Sequence, residues 1–173
     1  MRVVAGEFKG RPLRAPRGMR TRPTADRVRE ALFSMLVNVT GARVLDLYAG
    51  SGALGIEALS RGAASAVFVE CDPRVAAVIE RNLRSLELHQ EVVRQDALRF
   101  LGRAEGPFDL VFCDPPYDSV PRIAGPLAER LPALLANGAR IVTESDKRMP
   151  LELPFTLLAE RTYGDTRIAI HGR

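Results

Sequence analysis

From Ala42 onward the chain alternates short apolar runs of strand type with segments of helical period, and that alternation leaves few folds open. Strands are predicted at about 43–48, 65–70, 90–94, 108–113 and 138–143, with helices near 53–62, 73–86, 96–103 and 121–136. Apolar strands joined through helices run parallel, and a parallel sheet has to be covered on both faces. The 73–86 segment shows the rule most clearly: Pro73 pre-sets its first turn, and Val75, Val78, Ile79, Asn82, Leu83 and Leu86 share one face. Pro126 and Pro132 break or kink the fourth helix. After Pro154 the pattern changes, and 155–162 and 166–171 read as a hairpin turned at Gly164-Asp165. The expected class is therefore α/β, a Rossmann-like and mostly parallel sheet with helices on both faces and an antiparallel last strand.

Ahead of this core, Val3 to Leu13 is broken by Gly6 and Gly10 and reads as a small hairpin. Arg14 to Pro23, rich in Arg and Pro, reads as an extended polar arm. A helix follows, with Thr24 as cap, Asp26 in the first turn and Val28, Ala31, Leu32, Met35 and Leu36 at helical spacing. The chain is expected to form one domain over 1–173, with 1–40 as basic arm and helix and 41–173 as core, the arm adding little to that core. Residues 1–30 carry nine basic and three acidic side chains, a net +6, which leaves the remainder of this +4 chain at −2. A basic arm on a near-neutral body points to a polyanionic partner, most simply nucleic acid. Lys9 and Lys147 are the only lysines, so nearly all positive charge sits on forked guanidinium groups suited to phosphate. No apolar run approaches the roughly 18 residues of a membrane span. Charge follows Met1-Arg2-Val3-Val4 directly, so no targeting segment is read and a cytoplasmic location is expected. Cys71 and Cys113 each end an apolar run and read as small buried hydrophobes; with His89 and His171 they offer no metal-ligand spacing, and no metal is expected.

Two stretches carry chemistry. The first is Phe108 to Tyr117, an apolar run ending in Asp114-Pro115-Pro116-Tyr117. Neither proline can donate to a ladder, and each holds the residue before it extended. That fixes a carboxylate and a carbonyl, two acceptors, at a strand's carboxyl edge, where open α/β sheets bind ligands. A planar aromatic amine suits such a corner, its two N–H groups meeting two acceptors and its ring meeting Tyr117. The bland alternative is a Pro-Pro turn with Asp114 as a cap.

The second is Val44 to Gly55, whose glycines at 50, 52 and 55 match G-x-G-x-x-G between a strand and a helix. Ile56-Glu57 follows instead of Lys-Ser/Thr, which excludes a Walker A loop, and Ser51 lacks the flanking glycines of a nucleophile elbow. Glu70 ends the next strand, where an acid can accept from both ribose hydroxyls. Asp46 precedes the glycine turn, a place that favours a cationic ligand over a pyrophosphate. Asp96, after the third strand, could accept from an adenine amine. Together these describe an adenosine bearing positive charge and no phosphates, which fits S-adenosylmethionine better than a nicotinamide dinucleotide. Strand-end capping remains the alternative for Asp46 and Glu70, and a helix N-cap for Asp96.

Asp46-Leu47-Tyr48-Ala49-Gly50-Ser51-Gly52, Asp114-Pro115-Pro116-Tyr117 and Arg22-Pro23-Thr24-Ala25-Asp26-Arg27-Val28-Arg29-Glu30 together resemble the RsmD-type methyltransferases of bacterial 16S ribosomal RNA, which modify a guanine N2 amine. The resemblance implies a seven-stranded sheet. It implies that Asp46, Tyr48, Ala49, Gly50, Gly52, Glu70, Cys71, Asp96, Ala97 and Asp114 hold S-adenosylmethionine. Asp114 and the Pro115 carbonyl would accept the amine hydrogens beside Pro116, with Tyr117 stacked on the base. Arg14, Arg17, Arg20, Arg22, Thr24, Asp26 and Arg27 form the expected RNA-binding set. The implied partner is 16S ribosomal RNA within a small-subunit particle, engaged by a monomer. Rival readings are an N6-adenine or N4-cytosine amino-methyltransferase on DNA or RNA, an NAD-linked oxidoreductase, and a non-catalytic RNA-binding assembly factor.

Overall fold

The computed structural model describes residues 1–16, 24–36 and 38–173, apart from the side chains of Thr24, Ala25 and Tyr117. Helix α1 (Thr24–Leu36) is followed by β1 (Arg43–Leu47), α2 (Ala53–Ser60), β2 (Ser65–Val69), α3 (Pro73–Ser85), β3 (Glu91–Val93), α4 (Ala97–Leu101) and β4 (Phe108–Cys113). A 3-10 turn over Tyr117–Ser119 leads into α5 (Val120–Arg130), and β5 (Leu135–Asp146), β6 (Thr156–Tyr163) and β7 (Thr166–Gly172) complete the chain. The seven strands form one sheet in the order β3-β2-β1-β4-β5-β7-β6, parallel except for β7, which runs antiparallel to both β5 and β6. The chain winds one way from β1 to β3 and the other way from β4, so the order reverses between β1 and β4. Ligand crevices open at the carboxyl ends of strands flanking such a reversal.

Strand residues alternate between two cores. Val44, Phe68, Leu110, Phe112, Val142, Ile168 and Ile170 face α1, α2 and α3 through Leu32, Phe33, Ile56, Ile79 and Leu83. Leu45, Leu47, Val67, Val69, Val111, Cys113 and Ile141 face α4 and α5 through Phe100, Leu101, Ile123 and Leu127. Pro126 lies inside α5, and Pro132 falls in the 3-10 turn Leu131–Leu134 that ends the helical stretch. This is the break expected from a missing N–H donor. β5 runs past its expected end at 143 to Asp146, because β7 offers Ile168, Arg167 and Thr166 as partners for Glu144, Ser145 and Asp146.

The amino-terminal segment departs from expectation. Arg2 and Pro12 form an antiparallel bridge, so the hairpin exists, but Val3 and Leu13 are buried in the first core. Glu57, fully buried on α2, accepts from the Val4 and Ala5 N–H groups at 2.8 and 2.9 Å. The same carboxylate receives Arg29 of α1 and Arg61, just past the end of α2. Arg29 also donates to the Arg2 carbonyl and pairs with Asp26 at 2.9 Å. The segment is therefore part of the core. A hydrophobic pattern too short to show a period conceals that, because its order comes from acceptors on a distant helix.

The direction of α1 decides where its first turn lies. Leu36, at its end, borders a hollow with Ala42, Leu110 and Gly138 near the strand starts. Phe33 lies 5.8 Å from Phe112. α1 thus runs antiparallel to the strands, and its thirteen residues, about 20 Å at 1.5 Å each, carry its first turn toward the carboxyl edge.

Candidate active site

At the end of β1 the backbone turns sharply. Tyr48, Gly50 and Gly52 have positive φ of 60°, 56° and 78°. For Gly52 this is the left-handed region glycine enters freely, and a Cβ there would also press on Ile79 at 3.0 Å. Tyr48 adopts the same region without that freedom, a strained residue beside a site. Gly55 serves a different need. A Cβ on it would stand 2.4 Å from the Phe68 ring and 3.1 Å from Asp46 Oδ2, so glycine lets α2 lie against β1 and β2.

Asp46 sits under this turn, 2% exposed, with Oδ2 accepting from the Gly55 N–H at 2.9 Å. Burial raises its pKa well above the usual carboxylate range, opposed by the Gly55 bond and reinforced by Asp114 and Glu70. The acid expected to face a cation thus lies behind the glycine turn and holds it. Glu70 braces two loops at once: Oε2 accepts from Gly50 N–H at 3.0 Å and Oε1 from Asp72 N–H at 2.9 Å. Oε1 also accepts from Cys71 Sγ at 3.6 Å, so of a carboxylate's about four acceptor sites Oε2 keeps one spare. Cys71 beside it is exposed, against the expectation of a buried hydrophobe, while Cys113 is buried as expected. Ala49 is buried and donates to the Val69 carbonyl, which ties the turn to β2. Asp96 caps α4 through Arg99 N–H at 2.9 Å, with buried Ala97 opening that helix.

The β4 end supplies the reactive corner. Asp114 is half-buried and Pro115 buried, whereas Pro116 is exposed. The Pro116 carbonyl is occupied, accepting from Ser119 N–H at 2.9 Å and Ser119 Oγ at 2.6 Å. Among the described residues nothing donates to the Asp114 carboxylate or the Pro115 carbonyl. Burial pushes Asp114 up to about 6, the mark of a carboxylate out of water without a cation to stabilise it. Two acceptors stand available where β4 meets the glycine turn of β1.

The RNA-binding set is distributed unevenly. Arg14 and Arg27 are exposed. Arg17, Arg20 and Arg22 lie outside the described residues, as does the side chain of Thr24. Asp26, expected in this set, instead has its carboxylate on Arg29 and within 3.8 Å of Arg2, where it secures the root of α1. Sequence reasoning also missed Asn82. Read as one face residue of α3, it is 1% exposed and exchanges two hydrogen bonds with the Arg14 main chain. Its amide also donates to the Ser51 carbonyl at 2.9 Å, so the arm is fastened directly to the glycine turn. No local pattern announces such a residue; an amide on an otherwise apolar helix face was the available signal.

The family described as Conserved hypothetical protein 95 matches residues 1–172. A Haemophilus influenzae protein named Ribosomal RNA small subunit methyltransferase D is 39% identical over 178 residues, covering 95% of this chain and 89% of its own. The chain belongs to the RsmD family. YlbH of Bacillus subtilis is 42% identical over 191 residues, spanning 99% of this chain and 98% of that protein. The solved structure of Escherichia coli yhhF superposes with a TM-score of 0.87 at 36% identity, over 100% of this chain and 97% of that one. Within the family frame, the turn at 48–52 and the corner at 114–117 fall on the two sides of the β1/β4 reversal, the pairing a class I methyltransferase requires.

Proposed function

We propose that this chain methylates the exocyclic N2 amine of a guanine in small-subunit ribosomal RNA, using S-adenosylmethionine and acting as a monomer on an assembling particle. The observation that carries the reading is the pair of acceptors to which no described residue donates, Asp114 and the Pro115 carbonyl, at the strand reversal beside a glycine turn. The named methyltransferase relative supports the reaction class. The turn fits the cofactor: the positive φ angles of Tyr48, Gly50 and Gly52 bend the backbone sharply at the carboxyl edge, and Glu70 stands where ribose hydroxyls would reach it. Glu70, the backbone of Tyr48, Ala49, Gly50 and Gly52, Cys71, Asp96 and Ala97 would hold S-adenosylmethionine, with Asp46 setting the turn from below.

When bound, the cofactor supplies an electrophilic methyl on a sulfonium that leaves as a neutral thioether. The chain's own part is alignment and charge. An exocyclic amine is a poor nucleophile because its lone pair is delocalised into the ring. Asp114 and the Pro115 carbonyl each accept one N–H, draw the nitrogen toward tetrahedral geometry and direct the lone pair out of the base plane. Asp114 faces the positive charge developing on nitrogen and takes the proton the methylated amine sheds. Stacking on Tyr117 would return about 1–3 kcal/mol toward the cost of removing the base from its stack. Exposed Arg14 and Arg27 suit phosphate contacts that orient the RNA.

The test is to incubate unmethylated small-subunit RNA and particles with methyl-tritiated cofactor, digest, and identify the labelled nucleoside. N2-methylguanosine is expected, with particles labelled faster than free RNA. N6-methyladenosine or N4-methylcytidine would move the target to another amine, and no label in either substrate would overturn the activity.

A further inference from the structure

Each acid at the carboxyl edge in the expected site has a backbone partner or a place in the motif, but Glu144 has neither. Asp46 holds Gly55, Glu70 holds Gly50 and Asp72, and Asp96 caps α4. Glu144 is half-buried near the end of β5, and among the described residues nothing donates to it. The ladder says where it points. β4 and β5 pair Phe112 with Val142 and Cys113 with Thr143, so the next step sets Asp114 beside Glu144. Phe112 and Val142 lie in the core under α1, and alternation places Asp114 and Glu144 on that same face, toward the first turn of α1. On its other side Glu144 meets Ile168 of β7, which is apolar. Among the described residues the charge that acts on Glu144 is Asp114, which in turn acts on Asp46 of β1. Burial, then Asp114, pushes Glu144 up to about 8. An acid kept at that cost without a donor is an acceptor awaiting one.

We propose that Glu144 is the second reader of the target base, accepting the N1–H of the guanine whose N2 amine lies against Asp114 and Pro115. This rests on guanine being the target and adds the group that makes the choice. Guanine carries N1–H directly beside its amine. Adenine and cytosine carry a bare ring nitrogen in that place, so Asp114 and Pro115 alone would treat all three amines alike. Adjacent strands stand about 4.8 Å apart, a span over which hydrogens fanning from neighbouring ring atoms meet separate acceptors. Ionised, Glu144 can only accept and so takes N1–H but rejects a bare nitrogen. Protonated, it keeps a carbonyl oxygen for N1–H but gains an O–H donor, so its discrimination should sharpen as pH rises through about 8.

2-Aminopurine separates the contributions, since it keeps the N2 amine and lacks N1–H. Small-subunit RNA bearing guanine or 2-aminopurine at the methylated nucleotide is assembled into particles. Single-turnover methyl transfer is then measured with wild type, Glu144→Gln and Glu144→Ala at pH 8.5, above the value of about 8 to which Glu144 is pushed, so that the wild-type carboxylate can only accept. Calorimetric S-adenosylmethionine binding is the check that each variant is folded. Wild type should favour guanine by about tenfold or more, the range for a lost base-edge hydrogen bond. In Glu144→Gln, whose amide can donate to the bare nitrogen, the preference should shrink to a few-fold, and in Glu144→Ala it should largely vanish. Equal wild-type rates on the two bases, or a preference surviving in both variants, would overturn the role of Glu144 while leaving guanine as target. Label on an adenine or cytosine amine instead would overturn the guanine reading itself, and this assignment with it.

Discussion

Asp114 and Glu144 show how single residues connect burial to chemistry. Burial pushes Asp114 up to about 6, which leaves it ionised at neutral pH yet basic enough to accept the proton shed by the product. The methyl-transfer rate should therefore fall as pH drops through about 6, the point at which the acceptor becomes protonated. Asp114→Asn should remove that acid limb and lower the plateau, and Asp114→Ala should cost about a hundredfold or more with cofactor affinity little changed. Single-turnover rates across pH 5–9 check both. A flat wild-type profile would separate Asp114 from the chemistry. Glu144 makes the complementary case through stability. Its folded pKa, about 8, exceeds its ordinary value of 4.5, so between those values the folded chain holds a proton that the unfolded chain releases. Stability then declines as pH rises through that window. Glu144→Gln removes the titrating group, so it should unfold at a higher temperature than wild type at pH 8–9. The two should converge near pH 4.5.

At the scale of elements, the instructive case is how the amino-terminal segment and α1 are held. Glu57 collects Val4 N–H, Ala5 N–H, Arg29 and Arg61 on one fully buried carboxylate. Glu57→Ala would strand a 4%-exposed Arg29 without its buried counter-charge, a loss of about 3–5 kcal/mol. A lower urea midpoint with an unchanged slope would report it, and a midpoint within error of wild type would return the segment to the role of a loose appendage. Sequence reading found the elements that repeat a local period, and it placed Asp114, Glu70 and the glycine turn because motif spacing is local too. It could not find Glu57, Asn82 or Glu144. The main-chain partners of Glu57 lie 52 and 53 residues away in the chain, and those of Asn82 are 68 and 31 residues away. Glu144-Ser145-Asp146 reads as the polar end of a strand until pairing with β7 extends it. The Arg22–Glu30 motif shows the same limit: it marked the family, but Asp26 and Arg29 within it serve the fold.

Across the whole molecule, charge and attachment converge on one edge. Arg14, whose main chain is held by Asn82, and Arg27, in the first turn of α1, bring exposed positive charge toward the carboxyl side of the sheet. Asn82 fastens the Arg14 main chain to the Ser51 carbonyl of the glycine turn, and α1 brings its first turn toward the same edge. The Arg14 main chain is therefore anchored beside the glycine turn, by contacts that use backbone and leave the Arg14 side chain exposed. This predicts that Arg14, Arg17 and Arg20 can be replaced together by Ala with little loss of folding or cofactor affinity, because the anchoring atoms remain. RNA binding should weaken, and log K should depend less steeply on log salt. Each phosphate contact on a single strand contributes about 0.7 to that slope, so three lost contacts should flatten it by roughly 2. The base preference should survive, since phosphate contacts position the protein without reading sequence. Titrations of small-subunit RNA at several salt concentrations, wild type against the triple variant, measure the change directly. An unchanged slope would assign these arginines to solvent. A flattened slope with altered base preference would mean that the arm also reaches the bases.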